Sequence, residues 1–345
     1  MDVETYSKTI SDFIAGGYIT SAITLGNDLG LFEELKRLDK PVTSQQLADA
    51  CKLKERYVRE WLGCMVSTRI VLLDESDNYF IPDALKPGLN ATDFAFIYPV
   101  MGTLTENVKK CWRADGPDGF GYEDMPRCLV DLTEGKTPDP DKVIGQLLMS
   151  ITRPKESLIT ILDLGCGGGN ITRALSRHFP DAQIYGVDYN DTAIDRAVTV
   201  AKQQGIRNET FIQANVTSLP RDWTHKFDWV ILYDVLHDLP DPVNSMKEVY
   251  RVLKDDGVAS IVDPGIHSNH KDNIGDSNVA GVGYAISSLI CLPCSLSTKG
   301  AVGNGIGWGK EDKEAFLSNS GWIVIDKRDV ESAFALNFTC VKANA

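Results

Sequence analysis

The sequence predicts an α/β protein: a doubly wound parallel sheet over residues 151–345, preceded by a mostly α-helical, winged-helix unit over residues 1–90. Three observations carry this expectation. From residue 158 onward, short β-branched and leucine-rich runs alternate with helical patterns. One of those runs ends in a glycine-rich turn that opens a helix. Before residue 90, apolar residues recur at helical spacing through three segments, and a short hairpin closes the series. The 345 residues suffice for two domains at about 150 residues each.

The N-terminal segment from about 4 to 38 is helical by its periodicity: Ile10, Phe13 and Ile14, then Ile19, Ala22 and Ile23, then Leu29, Leu31, Phe32 and Leu35. Gly16-Gly17 and the Gly26–Gly30 region are the places where it could kink or divide. Thr43 or Ser44 can cap the next helix, with Gln46 completing a capping box from Thr43. A further helix starts near Lys54 and puts Val58, Trp61, Leu62 and Met65 on one face. Ile70–Leu73, the turn Asp74–Asn78 and Tyr79–Ile81 then form a hairpin.

Three helices and a hairpin make a winged helix, whose second recognition helix often reads DNA. Residues 1–90 carry 10 Lys and Arg against 14 Asp and Glu, and the would-be recognition helix alternates Arg56 and Arg59 with Glu55 and Glu60. A DNA reader needs a basic stripe. The expected role is dimerisation and covering of an acceptor, with a homodimer formed through the apolar surface of residues 6–38. Residues 91–150 read as a helical linker region with turn-rich loops at Asp115–Gly121 and Thr137–Asp141.

The whole chain is acidic, with 35 Lys and Arg against 48 Asp and Glu and a net charge of −13. That weighs against nucleic acid and against a polybasic membrane contact. The N-terminal Met-Asp-Val-Glu-Thr-Tyr has neither the basic nor the apolar region of a signal peptide, and no run approaches a membrane span. Eight scattered cysteines do not form a disulfide framework. A reduced, cytoplasmic protein is the expectation.

The second half reads as strand Leu158–Leu164, helix Ile171–Phe179, strand Gln183–Val187, helix Asp191–Gln204, strands Glu209–Gln213 and Phe227–Tyr233, helix Val243–Leu253 and strand Val258–Val262. In such a βαβ series a ligand sits at the carboxyl edge of the strands. The turn Gly165-Cys-Gly-Gly-Gly lies at that edge, where glycines let backbone approach a ligand closely. A dinucleotide fingerprint would need a third glycine at position 170, which is Asn170.

Asp163-Leu-Gly-Cys-Gly-Gly-Gly resembles the first motif of class I S-adenosylmethionine-dependent methyltransferases, whose fold is a Rossmann-like doubly wound sheet. Ile184–Asp188, Phe211–Val216, Phe227–Asp241 and Glu248–Asp263 resemble the following four motifs in order. Ser44–Ala48, Arg56–Leu62 and the hairpin resemble the winged-helix module ahead of small-molecule methyltransferases such as plant O-methyltransferases and related actinobacterial and animal enzymes.

The resemblance implies S-adenosylmethionine as cofactor, a small-molecule acceptor and no metal. It implies a role for each matching residue. Gly165 and Gly167 cradle the donor; Asp163 lies near its amino end or caps the turn. Asp188 accepts from the ribose hydroxyls, or caps the helix starting near Asp191. Tyr189 flanks the adenine, which Asn215 and the backbone NH of Val216 meet. Tyr233 and Asp234 sit beside the methyl donor. His237 is a general base or a positioning residue, with Asp238 as its partner. Residues 275–309, rich in Gly, Ser and aromatics, are the expected acceptor lid, with Tyr284 and Trp308 as walls. Cys291 and Cys294 lack the second pair a zinc site needs and read as small apolar fillers; His267 and His270 read as a solvated loop. Two other readings compete: a ligand-sensing winged-helix transcription regulator and an NAD-dependent oxidoreductase.

Overall fold

The computed structural model describes residues 1–125, 139–275, 278–330 and 335–343. It divides into two compact units, Met1–Thr103 and Leu104–Ala345.

The first unit holds α1 (Val3–Asp28), α2 (Leu31–Leu38), α3 (Ser44–Cys51), α4 (Glu55–Ser67) and an antiparallel hairpin of β1 (Leu72–Leu73) and β2 (Tyr79–Phe80). The capping box forms: the Thr43 hydroxyl accepts from the Gln46 NH, and the Gln46 side chain accepts from the Thr43 NH. α4 buries the expected face of Val58, Trp61, Leu62 and Met65 against Leu31, Phe32, Leu35 and Leu47. The long N-terminal helix breaks once, at Leu29–Gly30. It does not break at Gly16-Gly17, where Gly17 instead lets the Tyr98 ring approach the helix. A Cβ on Gly17 would stand 2.7 Å from the Tyr98 hydroxyl. After a 3₁₀ stretch from Asp83 to Phe96 comes α5 (Ile97–Cys111), within which the unit boundary falls.

The second unit continues with α6 (Pro140–Leu148), β3 (Thr160–Leu164), α7 (Asn170–His178), β4 (Gln183–Asp188), α8 (Asp191–Gln204), β5 (Glu209–Gln213), β6 (Phe227–Tyr233), α9 (Pro242–Val252) and β7 (Leu253–Pro264). Residues 126–138 lie outside the described residues, and with them the first two residues of the loop expected at Thr137–Asp141; its last two residues open α6, capped by the Asp139 carboxylate. Beyond β7 come α10 (Val279–Ile286), a π-helical stretch Ser287–Cys291, α11 (Leu292–Ser295), α12 (Lys310–Asn319), β8 (Trp322–Val330) and β9 (Ala335–Lys342).

The seven-stranded sheet has the order β5-β4-β3-β6-β7-β9-β8. The first five strands are parallel; β9 runs antiparallel to both neighbours. Alternate residues of the central strands feed two cores. Leu162, Val230 and Leu232 face one layer, Ile161, Trp229 and Ile231 the other, so the strands read as continuous apolar runs. The chain winds outward from β3 to β5, then returns to place β6 beside β3. That reversal falls at the carboxyl ends of β3 and β6, the place in such sheets where a ligand binds.

The β8–β9 pair was not among the expected elements. β8 is an edge strand with three consecutive exposed charges, Lys327, Arg328 and Asp329, which hide its period-two pattern. Among the described residues no helix is long and apolar enough to cross a membrane.

Candidate active site at the carboxyl edge of the sheet

β3 runs directly into the glycine turn. Gly165 has φ +79°, and a Cβ there would stand 2.5 Å from a Val235 methyl, so only glycine lets the turn lie against the loop after β6. The Gly165 and Cys166 NH groups both donate to the Val187 carbonyl, which ties the turn to β4. Asp163 is fully buried one residue before the strand end. Burial raises its pKa to about 7, against the pull of the Thr172 hydroxyl that donates to it at 2.6 Å. Its carboxyl braces the first turn of α7.

Asp188 ends β4 with its carboxylate facing the turn. Oδ2 accepts from the Gly167 NH and Oδ1 from the Asn190 NH, both at 2.9 Å. Burial raises its pKa, and these backbone donors oppose the rise. Each oxygen keeps lone-pair capacity for a further donor, as a vicinal diol requires. Asn190, not Asp188, caps α8. Tyr189 is exposed beside the same strand end. Asn215 and Val216 follow β5. The Asn215 Oδ1 accepts from the NH and hydroxyl of its neighbour Thr217, so the acceptor atom assigned to an adenine amine is engaged within its own turn.

Tyr233 closes β6. Asp234 follows at φ +58° with an exposed carboxylate and an NH bonded to the Val262 carbonyl. His237 is buried in the next turn: Nδ1 is hydrogen-bonded to Asp263 Oδ1 at 2.8 Å, and Nε2 lies 3.2 Å from Asp238 Oδ1, an ion-pair distance without hydrogen-bond geometry. Burial alone would lower the imidazole pKa. Asp238 and Asp263 outweigh it and hold the ring at about 9. At that value the ring keeps its proton at neutral pH. Asp263 stands one residue before the end of β7 and is kept at about 2, because Lys313 and His237 overcome its burial. Burial lifts Asp238 to about 6, while His237 and the Tyr122 hydroxyl, which donates at 2.8 Å, oppose the rise.

Asp263, Lys313 and Tyr122 were not singled out from the sequence. Lys313 carried a signal: it shares a helical face with Phe316 and Leu317, three and four residues on, and it is completely buried.

The segment after β7 folds back onto the histidine loop. The Gly305 NH donates to the His237 carbonyl, and the Val302 NH to the Pro240 carbonyl. Cys291 and Cys294 are both buried; the Cys291 sulfur lies within 4.8 Å of a ring nitrogen of His237 and a carboxylate oxygen of Asp238. Tyr284 packs edge-on against His270 and receives the Asn273 amide on its hydroxyl. Trp308 stacks edge-on with Phe316 and joins the core over the sheet, so it is a packing residue as much as a wall. His267 is tied to Glu311 at 2.6 Å rather than simply solvated.

These residues can be set beside known proteins. Residues 155–316 match the model of a methyltransferase domain, and residues 17–86 match an Rv2258c-like winged helix-turn-helix domain. Residues 155–316 are thus a methyltransferase domain, with a winged helix-turn-helix domain at residues 17–86 ahead of it. A demethylmenaquinone methyltransferase of Lactococcus lactis is 34% identical over 100 residues, 29% of this chain and 39% of that one. A ubiquinone biosynthesis O-methyltransferase of Coxiella burnetii is 33% identical over 97 residues, 28% of this chain and 40% of that one. The chain thus spans about two fifths of the curated relatives it matches. Among solved structures, human N-acetylserotonin methyltransferase in complex with S-adenosylmethionine has a TM-score of 0.68 at 14% identity, covering 99% of this chain and 98% of that one. Mitomycin 7-O-methyltransferase has a TM-score of 0.65 at 17% identity, covering 99% and 98%. At these identities the likeness is one of fold.

Proposed function

We propose that the protein transfers the methyl group of S-adenosylmethionine to a nucleophile on a small molecule. The observation that carries this reading is the glycine turn facing the Asp188 carboxylate at the point where the sheet order reverses. When bound, the donor supplies a methyl carbon already activated by a sulfonium, with a neutral thioether as leaving group. The chain's contribution is alignment. Gly165 and Gly167 admit the donor's approach, Asp163 braces the turn, and Asp188 receives the ribose hydroxyls. Val216 offers its NH, and Tyr189 its ring, to the adenine. Tyr233 and Asp234 line the donor's reactive end. His237 acts here as a positioning residue: Nδ1 is bonded to Asp263, Nε2 lies beside Asp238, and a ring that keeps its proton to about 9 has no lone pair for an acceptor's proton at neutral pH. The test is a panel of hydroxyl, amine and thiol acceptors with methyl-labelled donor. Label in a small-molecule product supports the reading; label in none, with no binding of the donor, contradicts it.

We also propose a homodimer through the first unit. α1 leaves Tyr6, Ile10, Phe13, Ile14 and Tyr18 exposed, an apolar stripe without cover from its own unit. Light scattering at micromolar concentration should give twice the chain mass, and the chain without residues 1–90 should give the mass of a single truncated chain. A monomer at that concentration contradicts the proposal. The regulator reading gains little from α4, whose Arg56 and Arg59 are paired with Glu60 and Glu55 on the same helix.

A further inference from the structure

We propose that Lys313 is a positioning residue for His237: held on the far oxygen of the carboxylate that grips the ring, it sets the orientation of that carboxylate and the proton affinity of the imidazole. The inference rests on the methyl-transfer reading for its relevance to turnover, but not for its test.

Lys313 lies on α12 with none of its side chain exposed. Its Nζ sits 2.7 Å from Asp263 Oδ2 and donates to the Pro264 carbonyl at 2.7 Å. Asp263 is equally buried, and its other oxygen meets His237 Nδ1 at 2.8 Å. One carboxylate therefore joins two cations. A lysine is rarely taken so completely out of water, and it needs a compelling partner to stay charged there. A methionine would fill the same position on the apolar face of α12 with no charge to compensate. What the ammonium adds is a second anchor that stops Asp263 from rotating, and a positive charge that competes with the imidazolium for the same anion.

The other groups facing His237 are Asp234, with Oδ1 at 3.9 Å from Nδ1, Asp238 at 3.2 Å from Nε2, and the Cys291 thiol. Tyr122 acts at one remove by donating to Asp238 Oδ2. Three carboxylates thus surround the ring, and Lys313 is the cation that moderates them. Removing its charge leaves Asp263 to His237 alone and makes the ring hold its proton more tightly.

The experiment follows the ring protons of His237 by NMR as pH is raised in the full chain, with the signal assigned by its loss in His237→Gln. In the wild type the midpoint is expected at about 9. In Lys313→Met it should rise by about one unit, the size of effect a charge at this range exerts. Lys313→Gln keeps a donor to Asp263 and Pro264 without the charge, so it reads the same shift in a protein whose packing is less disturbed. Lys313→Arg should return the midpoint to that of the wild type. A rise of at least about half a unit in the folded neutral variants, reversed in Lys313→Arg, supports the proposal. A smaller change, or a fall, overturns it and leaves Lys313 a structural residue. Donor affinity measured on the same samples reads the methyl-transfer assignment separately, because Lys313 does not touch the glycine turn or Asp188.

Discussion

Asp188→Ala should weaken binding of S-adenosylmethionine by at least about tenfold, roughly 1.5 kcal/mol or more, in calorimetric titration. The carboxylate holds the Gly167 NH and the Asn190 NH, and burial already strains it toward the neutral form. Two ribose hydroxyls would meet a charged acceptor that is under-solvated and already aimed, the geometry in which charge-assisted hydrogen bonds are strongest. Alanine removes those acceptors and also releases the Gly167 NH that shapes the turn. Asp188→Asn should fall between the two, since one oxygen remains. An unchanged affinity in Asp188→Ala removes this residue from the binding site.

Asp263→Ala should be the most destabilising single substitution in the site, by about 3–5 kcal/mol in urea unfolding of the sheet unit. It leaves Lys313 buried with only the Pro264 carbonyl and strips His237 of its Nδ1 partner. Replacing both members of the pair, as in Asp263→Leu with Lys313→Met, should recover a large part of that loss, because no uncompensated charge stays buried. A loss under about 1 kcal/mol in Asp263→Ala contradicts the buried pair.

The same cluster fixes how stability varies with pH. His237 at about 9, Asp163 at about 7 and Asp238 at about 6 all bind protons more tightly folded than unfolded. Stability should therefore fall as pH rises: first as the raised carboxyls ionise, then from about 6.5, where the unfolded imidazole titrates, through about 9. Asp263, held at about 2, works the other way, and its contribution disappears only as pH falls below 3.8 towards 2.

Much of this arrangement was legible in the chain. The strand and helix series from residue 158, the glycine turn and the carboxylate at position 188 are local patterns with local causes. So are the Thr43 capping box and the buried face of α4. What stayed hidden depends on residues far apart in sequence. Asp263 stands 26 residues after His237, and Tyr122 stands 116 residues before Asp238. The charge on His237 follows from that convergence, and no spacing rule could have supplied it. Lys313 lies in a run that reads Lys-Glu-Asp-Lys-Glu-Ala-Phe, whose charges suggest a solvated helix and mask its place on the apolar face. Trp308 looked like a pocket wall by its glycine-rich context, yet its ring had a core partner in Phe316. β8 escaped notice for the opposite reason: an edge strand exposes too many charges to show its alternation.

Calorimetric titration of the wild-type protein with S-adenosylmethionine, S-adenosylhomocysteine and NAD in turn decides which cofactor the glycine turn takes. One site per chain is expected for each of the first two, with no heat from NAD. Binding of NAD with none of either sulfur nucleoside would contradict that expectation.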